Sequence, residues 1–190
     1  MGRWKPDGRG RLEEAALQLF TERGYDQTTT AEIAERAGLT ERTFFRHFAD
    51  KREVLFGGAD ALQEIFVSHV AAAPGGSAPI DAVAAGLDGV AELLQEIPER
   101  AESRQAVIAA NQELQERELI KLATLAAAAA EALRARGVAE PAASLTAQAG
   151  IGVFKVAFEQ WVGEANRRPL AEVIHESLRE LRNVSAGDSH

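Results

Sequence analysis

Cysteine is absent from the 190-residue chain, which removes disulfides and thiolate metal sites from consideration. Long apolar runs are absent as well. No stretch approaches the ~20 consecutive apolar residues that a membrane-spanning helix needs, so no membrane partner is expected. The opening residues Met1-Gly2-Arg3-Trp4-Lys5-Pro6 lack the apolar run of a secretory signal, and a soluble, cytoplasmic protein is the expectation. No glycine loop is built to cradle phosphate: Gly150-x-Gly152 lacks a third glycine and follows no strand-like segment. There is no HExxH pair, and the four histidines, at 47, 69, 175 and 190, are dispersed. The carboxylates form no marked pair. These absences point away from an enzyme: no catalytic residue, metal site or cofactor is expected.

The net charge of −8 argues at first against a nucleic-acid partner, but its distribution matters more than its sum. Residues 1–56 carry ten Lys+Arg and ten Asp+Glu, so they are neutral, and all eight net negative charges lie in residues 57–190. A neutral head with local basic points can approach DNA while an acidic body stays away from it.

Sustained alternation of β-branched and polar residues is missing, and helical periodicity dominates. Leu12, Ala15, Ala16, Leu19 and Phe20 form one apolar stripe, stopped by Gly24. Thr29-Thr30-Ala31-Glu32 reads as a capping box opening a second helix, with Ile33, Ala34 and Ala37 inward and Gly38 at its end. Thr40 can cap a third helix carrying Phe44, Phe45 and Phe48. Asp50 and Glu53 can open a long fourth helix running through Leu55, Leu62, Ile65 and Phe66. After the break at Ala73-Pro74-Gly75-Gly76-Ser77-Ala78-Pro79, further helices are predicted over about 80–97, from Pro98, over about 113–136, over about 142–163 and from Pro169. The expected fold is all-α with about nine helices: a helix-turn-helix domain at residues 1–56, and a helical sensor and dimerisation domain at residues 57–190.

The segment from Thr28 to Lys51 is the informative one. Two short helices meet at Gly38-Leu39, where the tight turn requires a positive φ. Phe44 and Phe48 lie one turn apart and can seat the third helix. The same rotation turns Glu41, Arg42, Thr43, Arg46 and His47 outward. A short helix presenting Arg, Thr, Arg and His on a rigid support suits a DNA major groove. Arginine can bind guanine O6 and N7 bidentately, and a threonine methyl can touch a thymine methyl. Lys51, Arg9 and Thr29 stand at helix ends, where phosphate contacts arise. A generic small helical bundle and a helical interaction module are the competing readings. The second would account for the last helices but not for the first fifty residues.

The run Thr29-Thr30-Ala31-Glu32-Ile33-Ala34-Glu35-Arg36-Ala37-Gly38-Leu39-Thr40, followed by Phe44-Phe45-Arg46-His47-Phe48-Ala49-Asp50-Lys51-Arg52-Glu53-Val54-Leu55, resembles the DNA-binding domain of the tetracycline-repressor (TetR) family over about residues 9–56. The resemblance implies an all-helical homodimer, usually a repressor and otherwise an activator, that a small molecule releases from a palindromic double-stranded operator. It further implies that Arg42, Thr43 and Arg46 read bases and that Thr29, His47 and Lys51 touch the backbone. The family commonly has tyrosine where this chain has Phe45. Phe45 cannot donate a hydroxyl to phosphate, which leaves its part in the interface open.

The segments Ile108–Glu118 and Val153–Trp161 resemble the TetR subgroup whose C-terminal domain binds an acyl-CoA-like ligand. The apolar side chains of the later helices exceed what two flat faces need, so either a pocket or a tight core is expected there. Leu94, Ile97, Ile108, Phe154 and Phe158 are the candidate walls, Asn111 a candidate polar wall, and Arg104 and Arg117 candidate partners for an anionic head group. A hydrophobic or amphipathic effector fits that composition; a planar aromatic drug or a free fatty acid fits it equally. The last two helices carry Leu145, Ala149, Gly152, Val156, Val173, Ile174, Leu178 and Leu181, from which a homodimer through a four-helix interface is predicted.

Overall fold

A computed structural model describes residues 7–163 and 168–187. The described residues form nine α-helices and one 3-10 turn, with no β-strand among them. They divide into two compact units: the described residues up to Ala59 with Ser103–Glu118, and Asp60–Glu102 with the described residues from Leu119 on.

The first unit opens with α1, Gly8–Arg23. Asp7 caps it by accepting the Gly10 amide at 2.8 Å, and Gly24, at φ 87°, ends it. The predicted stripe of Leu12, Ala15, Ala16, Leu19 and Phe20 is buried. Helix α2, Thr30–Arg36, starts at the expected capping box, with the Thr29 hydroxyl accepting the Glu32 amide and the Glu32 carboxylate accepting the Thr29 amide. Gly38 takes φ 66° in the turn, and the Leu39 amide closes that turn on the Ala34 carbonyl at 2.8 Å. Helix α3, Glu41–His47, is capped by Thr40.

The fourth helix departs from the sequence reading. Asp50 does act as a cap, accepting the Glu53 amide at 3.1 Å, but it opens only the 3-10 turn Arg52–Phe56. Helix α4 starts afresh at Ala59 and runs to Ala72. Gly57 lies at the break, its carbonyl accepting from the Arg9 guanidinium. A Cβ there would stand 2.0 Å from a Glu13 carboxylate oxygen and 3.2 Å from the Phe48 ring, so a larger residue would have to displace the Glu13 side chain.

The remaining elements are α5 (Pro79–Gln95), α6 (Pro98–Ala109), α7 (Gln112–Ala135), α8 (Ala142–Gly163) and α9 (Leu170–Ala186). Residues 103–118 are the turn between α6 and α7 with the adjoining helix ends. Their Val107, Ile108 and Leu114 complete the first unit's core beside Leu12, Ile33 and Phe44.

The second unit's core combines Phe66, Leu87, Leu133, Leu170 and Ile174 with many alanines. A Cβ on Gly150 would meet Val83 at 2.3 Å, and one on Gly86 would meet Val70 at 2.8 Å and Phe66 at 2.9 Å. Both glycines therefore set how closely the helices approach. Val173, Ile174 and Leu178 of the predicted dimer stripe are buried inside this core, so the inner face of α9 serves the chain's own packing. Among the described residues no helix is long and apolar enough to cross a membrane.

Candidate nucleic-acid interface

Helix α3 is held by three local devices. The Thr40 hydroxyl accepts the Thr43 amide at 3.2 Å, the fully buried Phe44 anchors the inner face, and Phe48, at 5.5 Å between ring centroids from Phe44, fixes the exit. The 100° step of the helix then aims Arg42 and Arg46 directly away from Phe44. Both are exposed, and among the described residues neither enters an ion pair. This sets them apart from nearby cations: Arg36 is paired with Glu22 at 2.9 Å, Arg23 with Glu32 at 3.3 Å and Arg52 with Asp50 at 2.7 Å. Two uncommitted guanidiniums on a braced helix have the chemistry of a guanine-reading or phosphate-reading face.

The other expected contact residues are more constrained. Thr43 is half-buried, its hydroxyl 3.0 Å from that of Thr40. Thr29 spends its hydroxyl within the capping box, donating to the Glu32 carboxylate at 2.8 Å. That bond and the backbone bond, which is the larger cause, hold the Glu32 carboxyl below its usual range. His47 is half-buried, and its Nε2 is buried without a hydrogen-bond partner among the described residues. It lies beside Gly8, where a Cβ would stand 3.4 Å from it. Lys51 is turned inward: its ammonium donates to the Tyr25 carbonyl at 2.9 Å and the Thr28 carbonyl at 3.1 Å, and it lies 4.0 Å over the Tyr25 ring. It fastens the loop that carries Thr28 and Thr29. Burial, ahead of the nearby Glu113 and Asp50 charges, raises the Tyr25 phenol to about 12. Phe45 is 53% exposed.

The expected effector residues fall into two groups. Phe154 is buried in the second unit's core, with Leu94 and Phe158 packed against it. Phe154 and Phe158 stack at 5.7 Å. Ile97, just beyond α5, is 41% exposed. Arg104, Ile108, Asn111 and Arg117 belong instead to the first unit. Ile108 is fully buried there, and the Asn111 side-chain amide donates to the Val107 carbonyl at 2.7 Å. Arg104 donates to the Leu55 carbonyl at 2.9 Å, meets Glu118 at 3.2 Å and lies 4.9 Å over the Phe56 ring. Arg117 pairs with Glu53. These two arginines hold the α6–α7 turn to the 3-10 turn beyond the recognition helix. Glu53 and Glu118 share in this arrangement and carry no sequence signal for it. Pairings separated by about fifty residues or more leave no local signature.

Among the described residues, then, the first unit is a helix-turn-helix module with an exposed basic recognition helix, the architecture of a DNA-binding regulator. Residues 12–56 match the TetR N-terminal family model, described as bacterial regulatory proteins, tetR family. The chain is 39% identical over 82 residues to the HTH-type transcriptional regulator TcmR of Streptomyces glaucescens, a match covering 43% of this chain and 36% of TcmR. The matched stretch thus spans about a third of that relative's length. The fold of nearly the whole chain is shared with solved regulators. Thermus thermophilus FadR, a TetR-family repressor in complex with lauroyl-CoA, superposes with a TM-score of 0.59 at 22% identity, covering 92% of this chain and 93% of that one. SmeT of Stenotrophomonas maltophilia, in its triclosan complex, gives 0.63 at 19% identity, covering 92% and 91%.

Proposed function

We propose that the protein is a ligand-responsive transcriptional repressor of the cytoplasm that binds a palindromic operator as a homodimer. Residues 1–56 engage DNA, with Arg42 and Arg46 reading bases, and residues 57–190 sense the effector and dimerise. The observation that carries this reading is the pair of exposed, unpaired guanidiniums on a capped and braced recognition helix. One such helix contacts few base pairs, and paired half-sites about 34–36 Å apart are the usual remedy.

The effector is a hydrophobic or acyl-CoA-like amphiphile. Support comes from the aromatic pair Phe154 and Phe158 with Leu94 beside them, and from the lauroyl-CoA held by the fold relative FadR. The triclosan held by SmeT makes an aromatic hydrophobe the competing class. Arg104 and Arg117 are committed to Leu55, Glu118 and Glu53, so they favour a positional role over head-group binding. An effector releases DNA only if it prefers the non-binding state, and a coupling of ~1–3 kcal/mol would weaken operator affinity about five- to 150-fold.

Selecting genomic fragments on the purified full-length protein tests the reading. Enrichment of a palindromic site, reversed by a graded acyl-CoA series, is the expected result. Enrichment that no acyl-CoA reverses removes that effector class, and no enrichment under any condition removes the regulator.

A further inference from the structure

Phe45 is the only large apolar side chain of the first unit that lies mainly in solvent among the described residues. A single exposed phenyl ring is ordinary on a protein surface; this one matters for where it stands, on the recognition helix beside the exposed Arg42 and Arg46. The ring is also braced: it meets the fully buried Phe44 edge-on at 5.4 Å and 81°. On the helix, Arg42 and Arg46 occupy the outward stripe and Phe45 lies on one flank of it. That flank is the row of Glu41, whose carboxylate accepts the Thr30 hydroxyl at 2.6 Å. Phe45 thus sits between the two free arginines and the N-terminus of α2.

A phenyl ring has no donor or acceptor for a phosphate or a base edge. The apolar group that a base pair displays in the major groove is the thymine 5-methyl. We propose that Phe45 is a specificity-determining residue that packs on one thymine methyl in each operator half-site, next to the base pairs read by Arg42 and Arg46. This rests on the operator-binding reading above and adds to it a rule about sequence. The half-site carries a required thymine whose recognition depends on its methyl and not on its hydrogen-bonding edge.

The test uses the enriched operator with each thymine replaced singly by deoxyuridine, which removes only the methyl. Wild type, Phe45→Ala and Phe45→Tyr are titrated on every duplex. One thymine per half-site should be methyl-sensitive, with about a fourfold loss of affinity in the wild type for one lost methyl contact. Phe45→Tyr should keep that loss and Phe45→Ala should abolish it. The salt dependence should be alike for wild type and Phe45→Ala, since neither carries a phosphate-binding group at this position. An unchanged thermal midpoint verifies folding of Phe45→Ala, and Phe45→Gln replaces it if that variant does not fold. The proposal is overturned if no thymine is methyl-sensitive. It is equally overturned if the sensitivity persists in Phe45→Ala, or if that variant weakens thymine and uracil duplexes equally. Failure to enrich any operator would instead sink the regulator reading, and this inference with it.

Discussion

Arg104 donates its Nε to the carbonyl of Leu55 at 2.9 Å, across 49 residues of sequence. Its guanidinium also covers the Phe56 ring and reaches Glu118, so one side chain joins the α6–α7 turn to the 3-10 turn behind the recognition helix. The planar fork is what allows the stacking and two differently directed hydrogen bonds together. Arg104→Ala is expected to destabilise the protein by about 1–2 kcal/mol through the lost charge-assisted bonds, read in a urea titration. Hydrogen exchange at residues 52–56 should accelerate. Arg104→Lys should not restore either property.

On the recognition helix, Arg42→Ala and Arg46→Ala should each cost ~1–3 kcal/mol on the selected operator and relax preference at the base pair that each one reads. Neither substitution should move the thermal midpoint, because neither side chain is buried or paired. Filter binding on the operator and on single-base variants measures both effects. Unchanged affinity and preference in both variants would show that this face does not read DNA.

Much of the first unit was legible because its signals are local. The Thr29–Glu32 box, the Gly38 turn and the Thr40 cap each lie within a few residues, and their chemistry admits few alternatives. The break before Ala59 was not legible. Asp50 and Glu53 do satisfy the capping pattern, but the chain breaks at Gly57, whose carbonyl accepts from Arg9 of α1, a tertiary contact without periodicity. Lys51 shows the same limit. Its place at a helix end reads as phosphate-facing, while its partners are the Tyr25 and Thr28 carbonyls. The partners that Arg104 and Arg117 hold lie forty-nine and sixty-four residues away, beyond any local signal.

Tyr25 is the single tyrosine of the chain, so its phenolate absorbance reports one site. Its folded pKa is raised to about 12 by burial, above the ordinary value of about 10 in an unfolded chain. A raised folded pKa contributes stability that is present below the unfolded value and lost as pH rises through the folded one. Between pH about 10 and about 12 the unfolded state therefore gives up its proton first, and stability falls. The native protein should show no phenolate step near pH 10. Denaturant should bring the step to that value.

Two glycines test the packing of the second unit. Gly150→Ala drives a Cβ to within 2.3 Å of Val83, and Gly86→Ala drives one to within 2.9 Å of Phe66. Each is expected to destabilise by ~1–3 kcal/mol from overpacking, less the gain of about 1 kcal/mol in helix propensity. Calorimetric midpoints should fall in both variants. A rise in either would show that the neighbouring side chain moves aside at little cost.

The outward row of α8 tests assembly. Leu145 is 65% exposed and Val156 59% exposed, and Ala149 and Gly152 lie between them at helical spacing. Nothing stands within 4 Å of a Cβ built on Gly152, so within one chain Gly152→Ala has free space and should gain about 0.5–1 kcal/mol of helix stability. In a homodimer packed through α8, the same methyl group would enter a close helix–helix approach and weaken association. Light scattering of the wild type at micromolar concentration should give twice 20.4 kDa. Val156→Glu should give 20.4 kDa, because it would place a charge without a partner in an apolar interface. Gly152→Ala should raise the dissociation constant by sedimentation while stabilising the separated chain. A wild type that sediments as a monomer would sink the homodimer, and a Gly152→Ala variant that dimerises as tightly as wild type would place the interface elsewhere.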